Sequence, residues 1–264
     1  MAQTARGRSG KPFGTGRIIF WRGGSVWIGH AVEETGFHEH HTIQVTLDLS
    51  GEPVQFRVPG GEWACYSAAI VAAHQAHAFK ACGQLVAIMF AEPESLEGRR
   101  LRGHFPAGVA ALDATVVTGE AALLARAYER GACDADMIAC AFAVTAKLAS
   151  IQAPISKPLD LRIARALDIV REQLEQRVAM GEIATAVHLS PERFRHLFLQ
   201  EVGVRFRPYV LWLRMETAVA MYAAGSSLTE ASHAAGFADS AHFSRTFKRM
   251  FGVQAISVQR TQAH

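Results

Sequence analysis

The stretch Thr229–Gly252, TEASHAAGFADSAHFSRTFKRMFG, has the pattern of two helices joined by a tight turn. Gly236 permits the left-handed backbone conformation that such a turn requires, and small alanines before it let two helices approach closely. Phe243 and Phe247 stand four residues apart, which places them on one inward face of the second helix. We expect Ser240 to cap that helix at its N-terminus. The stretch therefore predicts a helix-turn-helix unit.

The residues away from the apolar stripe form an outward face on which most side chains carry hydrogen-bonding or cationic groups. They are Ser240, Ala241, His242, Ser244, Arg245, Lys248 and Arg249. Such a face suits the phosphates and base edges of a DNA groove. An ordinary amphipathic surface helix has the same pattern, so this helix alone does not distinguish the two interpretations.

A second copy of the pattern lies upstream in Glu182–Val204, EIATAVHLSPERFRHLFLQEVGV, at an offset of 49 positions. Ser190 supplies a cap and Pro191 a favourable first helical residue. The matched pairs are Phe194 with Phe243, Phe198 with Phe247, Gly203 with Gly252 and Val204 with Val253. The outward residues are Glu192, Arg193, Arg195, His196 and Gln200. Two copies of one motif arise by chance far less often than one, so the repeat favours the DNA-binding interpretation.

The segment between the two units, Arg207–Ala224, has the spacing of a helix, with Tyr209, Leu213 and Tyr222 among its interior positions. About 15 helical residues span roughly 22 Å. A rod of this length can hold two reading helices near successive major-groove faces, which lie about 34 Å apart along the duplex.

From about Leu161 to Arg260 the chain resembles the paired helix-turn-helix domain of AraC/XylS transcription regulators. The resemblance is carried by LSPERFRHLFLQEVGV, by the LR-M-ETA pattern of Leu213–Ala218 and by AAGFADSAHFSRTFKRMFGV. It implies sequence-specific binding to double-stranded promoter or operator DNA, control of transcription and contact with RNA polymerase. It also implies that the second helix of each unit enters the major groove, so the outward residues named above are the candidate DNA contacts.

The second unit departs from the family pattern in two places. Ser232-His233 stands where the family usually has Ile-Ala. After the final Gly-Val, Gln254-Ala255 and Val258-Gln259 replace the usual Ser-Pro and Tyr-Arg. We therefore expect the second unit to pack or bind less well than is usual in the family.

The N-terminal half predicts short strands, because segments rich in Val, Ile and aromatics alternate with turn signals. The segments are Ser25–Gly29, Ile43–Leu49, Val54–Val58, Ala68–Ala72 and Leu85–Phe90. GFHEHHTIQVTLDLSG (Gly36–Gly51) and AAIVAAHQAHAF (Ala68–Phe79) resemble the cupin-like sensor barrel that often precedes this DNA-binding domain. The predicted fold class is thus α+β multidomain: a cupin-like β-barrel with a helical hairpin, then an all-α domain with two helix-turn-helix motifs joined by a helix.

The barrel is expected to hold a small-molecule effector. The candidate pocket residues are Trp27, Phe37, His38, His40, Gln44, Trp63, Tyr66 and His77. In metal-binding cupins a His-x-His piece and a later His bind one divalent metal, and His38, His40 and His77 match by position. Gln44 replaces the usual Glu, and a neutral amide is a poorer ligand than a carboxylate. These histidines can be metal ligands or polar residues of the pocket, and the sequence leaves both interpretations open.

A metal-dependent cupin-type enzyme is the alternative function. It would use His38, His40 and His77 as a triad with open positions for a substrate. Against it stand Gln44 and the lack of a clear general acid or base, since Glu39 falls on the opposite strand face. We therefore expect a regulator that is not an enzyme.

The predicted organisation has five parts. They are a flexible basic tail (1–17), an effector-sensing barrel (18–108) with a loop over 91–108, a helical dimerisation segment (109–152), a linker (153–158) and the DNA-binding domain (159–264), with helix-turn-helix units at about 180–201 and 228–251. From Arg193 to Arg260 nine Lys/Arg stand against four Asp/Glu, whereas the region before Leu159 has fourteen of each. A basic module joined to a neutral one fits a DNA-binding part attached to a sensor.

The remaining composition excludes several other classes of protein. No apolar run reaches the roughly 18 residues that a membrane span needs, and no apolar signal core is present, so we expect a cytoplasmic protein without membrane contact. The four cysteines lack CxxC spacing, which predicts small buried thiols rather than disulfides or a zinc site. DNA readers are often two-fold symmetric, which favours a homodimer.

Overall fold

Two β-sheets form most of the N-terminal half of the computed structural model, which describes residues 13–151, 157–176, 178–255 and 258–260. Residues 1–12 of the predicted tail and residues 153–156 of the predicted linker lie outside the described residues. The strands are β1 (Gly14–Trp21), β2 (Gly24–Ala31), β3 (Ile43–Asp48), β4 (Val54–Arg57), β5 (Ala64–Tyr66), β6 (Ala68–Val71), β7 (Ala78–Lys80), β8 (Leu85–Ala91), β9 (Val109–Ala111) and β10 (Val258–Arg260). The first strand begins at Gly14, inside the stretch that the sequence assigned to the tail.

The larger sheet is buried on both faces. Its strand order is β10-β1-β2-β8-β3-β6-β9, and the smaller sheet runs β5-β4-β7. On one face, Trp27 and Phe90 belong to the same core as Phe56 and Phe79 of the smaller sheet. On the other face, side chains such as Met89 pack beneath helices. Burial on both faces explains why β2 and β8 read as nearly continuous apolar runs.

Nine α-helices and a short 3₁₀ turn (Ala114–Val117) occur in the described residues. The helices are α1 (Leu96–His104), α2 (Thr118–Glu129), α3 (Asp134–Ser150), α4 (Leu161–Glu172), α5 (Met180–Ala186), α6 (Pro191–Val202), α7 (Phe206–Ala223), α8 (Leu228–Ala234) and α9 (Ser240–Phe251). Helices α1 to α3 cover the larger sheet and complete an N-terminal domain. Helices α4 to α9 form a C-terminal helical domain, as the sequence predicted.

The stretch predicted as a loop, 91–108, contains helix α1. Ser95 caps this helix by accepting a hydrogen bond from the amide of Gly98, and Leu101 is fully buried under the sheet. The arginines made the stretch look solvated, but a single apolar residue per turn suffices to hold a short capped helix against a sheet.

The cysteines also differ from expectation. All four are free thiols, and Cys65, Cys82 and Cys133 are exposed. Cys82 lies between β7 and β8, and Cys133 is the residue that precedes α3. These are strand and helix ends, where a small residue is accommodated without burial.

The two helix-turn-helix units are α5–α6 and α8–α9, and the offset between them is not uniform. The second helices and the final glycines are 49 positions apart, but α5 and α8 are 48 apart, because the second turn is one residue longer. The cap of α9 is therefore Asp239, whose side chain accepts from the amide of His242, and Ser240 is the first helical residue. Ala231 and Ser232, both fully buried, occupy the positions of Ile183 and Ala184.

The two domains are joined by backbone as well as by side chains. Strand β10, which follows α9, pairs in parallel with β1 of the N-terminal domain. The amide of Gly36 donates to the carbonyl of Gly252 at 2.9 Å. Phe251 packs edge-on against Phe90, with 6.2 Å between ring centroids. The end of the second unit is thus built into the edge of the sheet-rich domain.

The contact of Gly252 with the N-terminal domain predicts that substitutions at two equivalent glycines differ in their effect on stability. Gly203 and Gly252 both end a helix with positive φ, but a Cβ at Gly252 would collide with the carbonyl oxygen of Gly36, whereas one at Gly203 would meet only the end of the Arg102 side chain. Gly203→Ala should cost about 1–2 kcal/mol from backbone strain. Gly252→Ala should add a steric penalty of about 1–3 kcal/mol. Urea unfolding midpoints measure both losses of stability. Equal losses would contradict the close packing of Gly252 against the N-terminal domain.

Candidate DNA-binding surface and interdomain cavity

The proposed reading helix of the first unit, α6, buries its apolar stripe and exposes its polar residues. Ser190 caps the helix by accepting from the amide of Arg193. Phe194 and Phe198 are fully buried in the domain core. The five predicted DNA contacts of this helix, Glu192, Arg193, Arg195, His196 and Gln200, are all exposed.

The corresponding helix of the second unit, α9, exposes its cationic side chains. Some of its other polar side chains instead make contacts within the unit. Ala241, Arg245, Lys248 and Arg249 are exposed, whereas Ser240, His242 and Ser244 are half-buried. The hydroxyl of Ser244 donates to the carbonyl of Ser240 at 2.8 Å. The His242 ring meets Phe237 edge-on, with 5.3 Å between centroids. The outward charge of α9 is therefore carried by Arg245, Lys248 and Arg249.

A cavity of about 640 Å³ lies between the two domains. The N-terminal domain contributes mostly apolar side chains: Phe13, Ile18, Ile19, Phe20, Trp27, Phe79, Ile88, Phe90 and Ile138. The C-terminal domain contributes Val219, Ala220, Tyr222 and Ala223 of α7 and Phe243, Phe247 and Phe251 of α9. The inward stripe of α9 is thus one wall of this cavity while its outward face is exposed.

A few polar groups interrupt the apolar lining of the cavity. Arg17 donates to Asp134 and to the carbonyl of Ala132, both at 2.6 Å, so its charge is already partnered. His38 and Gln44 line another part of the wall. An apolar chamber with a few convergent polar groups is the usual construction of a small-molecule site.

The structure brings only some of the predicted pocket residues to this cavity. Trp27, His38 and Gln44 line it. Phe37 and Trp63 instead flank the guanidinium of Arg57, at 5.0 and 4.8 Å from their ring centroids. Phe37 is 47% exposed. The sequence led us to expect the pocket inside the barrel. The α7 and α9 residues that line the cavity were expected in the core of the C-terminal domain, so their part in the cavity was not predicted.

Tyr66, His40 and His77 complete the predicted pocket set and do not line the cavity. Tyr66 is half-buried against Phe56. His40 and His77 are buried directly behind the cavity wall, beside His38.

The three predicted metal ligands come together. One ring nitrogen from each of His38, His40 and His77 lies within 4.8 Å of those of the other two. The first two stand in the extended segment between β2 and β3, and His38 bridges to His77 through paired backbone hydrogen bonds of 3.0 Å. Burial, together with the neighbouring imidazoles, lowers the pKa of His38 to about 4 and the pKa values of His40 and His77 to about 3. All three rings are therefore neutral at neutral pH.

The helical part of the chain matches a known family. A sequence model described as "Helix-turn-helix domain" matches residues 183–261, which run from within α5 to beyond α9. The C-terminal domain is of the AraC type. Its two outward helices are the elements that the family resemblance assigns to DNA.

Curated relatives of the AraC-type domain are regulators of transcription. An uncharacterized HTH-type transcriptional regulator of Escherichia coli (strain K12), YidL, is 29% identical over 109 residues, which cover 40% of this chain and 37% of YidL. The transcriptional activator RhrA of Rhizobium meliloti (strain 1021) is 28% identical over 102 residues, 36% of this chain and 32% of RhrA. The chain spans about a third of the length of these relatives.

The arrangement of both domains resembles a solved structure. ToxT from Vibrio cholerae O395 aligns with a TM-score of 0.56 over 88% of this chain and 94% of that chain, at 13% identity. The likeness shows a shared two-domain fold. Wild-type ToxT from strain SCE256, solved with a bound unsaturated fatty acid, aligns with a TM-score of 0.52 over 88% and 92% of the two chains, at 13% identity.

A polar cluster, which we call the interdomain polar cluster, joins the AraC-type domain to the N-terminal domain; most of its members are buried, whereas Arg171 is half-buried and His74 is exposed. It consists of His41, His74, Glu92, Glu94, Arg171 and Tyr209. Arg171 donates to Glu92 at 2.5 Å and lies 3.9 Å from Glu94. His41 contacts Glu94 at 3.0 Å and His74 at 3.2 Å. This cluster could not be predicted from the sequence, because its members are scattered over 169 positions and follow no motif.

The charges in this cluster depend on one another. Burial and the nearby Glu94 carboxylate raise the pKa of Glu92. Burial would also raise the pKa of Glu94, but His41 outweighs it and the pKa is lowered. Burial would lower the pKa of Arg171, but Glu92 raises it, so the guanidinium keeps its charge. Arg171 is therefore the cation that compensates the buried carboxylates across the domain boundary.

We predict that Arg171→Met destabilises the protein by about 3 kcal/mol, because it leaves a buried carboxylate without its cation. Adding Glu92→Gln should restore a large part of the loss, since the uncompensated charge is then gone. The control is Arg162→Met on the same helix, whose partner Asp160 is more exposed and whose loss should therefore cost far less stability. Urea unfolding measures all four proteins, and equal costs for Arg171 and Arg162 would disprove the role of the cluster.

Proposed function

We propose that this protein is a sequence-specific DNA-binding regulator of transcription in which a small apolar effector binds between the two domains. The single observation that carries the proposal is the pair of helix-turn-helix units of the AraC type with exposed outward helices. The proposal favours a regulator over a metal-dependent enzyme, because the DNA-binding module has a clear match.

The DNA contacts are proposed to divide by helix. On α6, Arg193, Arg195 and Gln200 present donors that can reach base edges or phosphates. On α9, Arg245 is the exposed residue one turn into the helix, and Lys248 and Arg249 lie near its C-terminus. Arginine can pair with guanine through two hydrogen bonds, whereas cations near a helix end more often meet phosphates.

The helical hairpin α2–α3 is the proposed dimer contact. It presents Leu123, 53% exposed, and Phe142, 41% exposed, on its outer side. A symmetric dimer would place two AraC-type domains on one operator. RNA polymerase is the proposed partner at the promoter. None of the helices in the described part of the chain has the length and apolarity that a bilayer crossing needs.

The first experiment is a comparison of DNA fragments. We expect the protein to bind a fragment from upstream of its own or a neighbouring gene at least about a thousandfold more tightly than random DNA, across a salt series. Arg245→Ala should weaken binding to that fragment by about 1–3 kcal/mol and relax the preference at one base pair. The control is Arg130→Ala, an exposed arginine of the N-terminal domain.

Two results would speak against this assignment. Equal, salt-steep binding of every fragment would leave only electrostatic attraction and would reject sequence-specific regulation. If Arg245→Ala weakened binding equally on all sequences, Arg245 would contact phosphate and the base-reading role would fall to other residues.

The effector site is proposed to be the interdomain cavity. Its lining is mostly apolar, and ToxT, which shares the fold, has been solved with an unsaturated fatty acid. An amphipathic molecule with one acidic head and an apolar chain fits such a lining. Because α7 and α9 form one wall, an occupant would press on the same helix that carries Arg245. Effector binding would thereby change the spacing or mobility of the two reading helices.

Oleate, used below its micelle concentration, tests the cavity. We expect it to raise the thermal unfolding midpoint, because a ligand that binds only the native state stabilises it. Ala220→Leu, which fills the cavity wall, should lower the affinity at least about tenfold, or about 1.4 kcal/mol. Ala143→Leu, the same change on an exposed face of α3, should leave it unaltered. An unchanged midpoint with oleate, or equal losses in both variants, would rule out this site for such ligands.

A further inference from the structure

We propose that Arg102 of the N-terminal domain and Arg205 of the AraC-type domain bind phosphates of the DNA backbone beside the first reading helix, α6. This proposal rests on the proposed function and adds a DNA contact made by the N-terminal domain. The two arginines belong to different domains, and both lie next to Gly203, the residue at which α6 ends. Their shared position at the end of a reading helix is the observation that carries the proposal.

Gly203 lies on the outward side of α6. Glu192, His196, Leu199 and Gly203 follow one another in steps of four, three and four residues, so they form one row along the helix. This row lies opposite the buried Phe194, and Leu199 within it is 42% exposed. The row that begins with the predicted DNA contacts Glu192 and His196 therefore ends at Gly203.

Arg102 reaches this end of α6 from helix α1. A Cβ built at Gly203 would lie 3.2 Å from the Nη1 atom of Arg102. The preceding residue, Leu101, is fully buried under the larger sheet, which holds α1 in place. The C-terminal end of a helix attracts a cation, so α6 itself favours the guanidinium at this position. The charge is not neutralised there, because Arg102 forms no ion pair with the residues that the structure describes.

The start of α7 adds positive charge at the same place. Arg205 precedes the first residue of α7 and follows Gly203 by two positions. Arg205 and Arg207 are both exposed, and neither pairs with an acid in the described part of the chain. Glu201, the acid nearest to Gly203 in the sequence, accepts a hydrogen bond from the amide of Asp160 at 3.1 Å. Positive charge therefore prevails around the end of α6.

A phosphate is the anion that fits this position. Helix α6 has 12 residues and is about 18 Å long, whereas the major groove is about 12 Å wide. When the first turns of α6 contact base edges, its last turn lies near the sugar–phosphate edge of the groove. A guanidinium can bind two phosphate oxygens at once through parallel N–H groups. An acidic protein segment would also match the charge, but the row of reading residues that leads to Gly203 favours DNA.

The contact makes DNA affinity depend on the arrangement of the two domains. Phosphate contacts position a protein on DNA and carry no sequence information. Arg102 contributes only while α1 keeps its place beside α6. A movement of the N-terminal domain therefore changes the affinity for all DNA sequences by the same factor, without altering any base contact.

Salt titrations of DNA binding by the full chain test the proposal. Arg102→Gln and Arg205→Gln each remove one charge, and both are measured on a tightly bound fragment and on random DNA. We expect each variant to weaken binding by the same factor on both DNAs and to lower the slope of log K against log[salt] by about 0.9. Arg130→Gln, the same change at an exposed arginine of the N-terminal domain, should leave the slope unaltered. Urea unfolding confirms that each variant is folded.

Neutral phosphates in the DNA identify the contact directly. A methylphosphonate replaces one phosphate at a time along the tightly bound fragment. With the wild-type protein, neutralising the phosphate that Arg102 contacts should weaken binding. With Arg102→Gln the same replacement should have no further effect, because the partner charge is already gone.

Three results would overturn the proposal. Unchanged affinity and slope in Arg102→Gln would leave the arginines to an acidic protein segment. Tighter binding by this variant would show that Arg102 obstructs DNA, and a loss confined to the tightly bound fragment would indicate a base contact. The preference of the wild-type protein for that fragment tests the regulatory function separately, and random DNA alone suffices for the slope. A failure of this inference is therefore distinguishable from a failure of the proposed function.

Discussion

The buried Glu92 carboxylate and the half-buried Arg171 guanidinium meet across the domain boundary, and much of the remaining architecture depends on this contact. A buried carboxylate needs a nearby cation to compensate its charge, so the contact favours keeping the segment after β8 and the end of α4 together. Tyr209 of α7 packs edge-on against His41 of the same cluster, with 5.6 Å between ring centroids. The position of α7 in turn sets one wall of the cavity and the distance between the two helix-turn-helix units.

The features that could be predicted from the sequence are those in which local spacing decides the structure. Phe194 and Phe198 lie four apart because one helix face is buried, and Ser190-Pro191 begins a helix whatever surrounds it. The cap of α9 could not be assigned this way. Asp239 and Ser240 are both good capping residues, and only the extra residue in the second turn decides between them. The same extra residue moved the expected Ile-Ala position from Ser232-His233 to Ala231-Ser232.

The candidate site was harder to predict because its parts come from distant segments. The His-x-His spacing identified His38 and His40, and the bridge to His77 brought the third ring into place. Phe37 and Trp63 were expected in the pocket because they are aromatic. The residue type alone does not show which side of a sheet a loop residue covers. Phe247 belongs to an apolar stripe that predicts a helix core, and the same side chain also closes a cavity against another domain. Periodicity cannot separate these two uses of one apolar residue.

The parallel pairing of β10 with β1 has a consequence for how the chain folds during synthesis. Strand β1 emerges from the ribosome first, but the strand that covers its outer edge lies downstream of both helix-turn-helix units. Until then the nascent N-terminal domain has an open sheet edge and an uncovered apolar face at Ile18 and Phe20, which later pack on the α7–α9 core. Open edges and apolar faces recruit other chains. The last stage of translation is therefore the stage at which this sheet edge and this apolar face become covered.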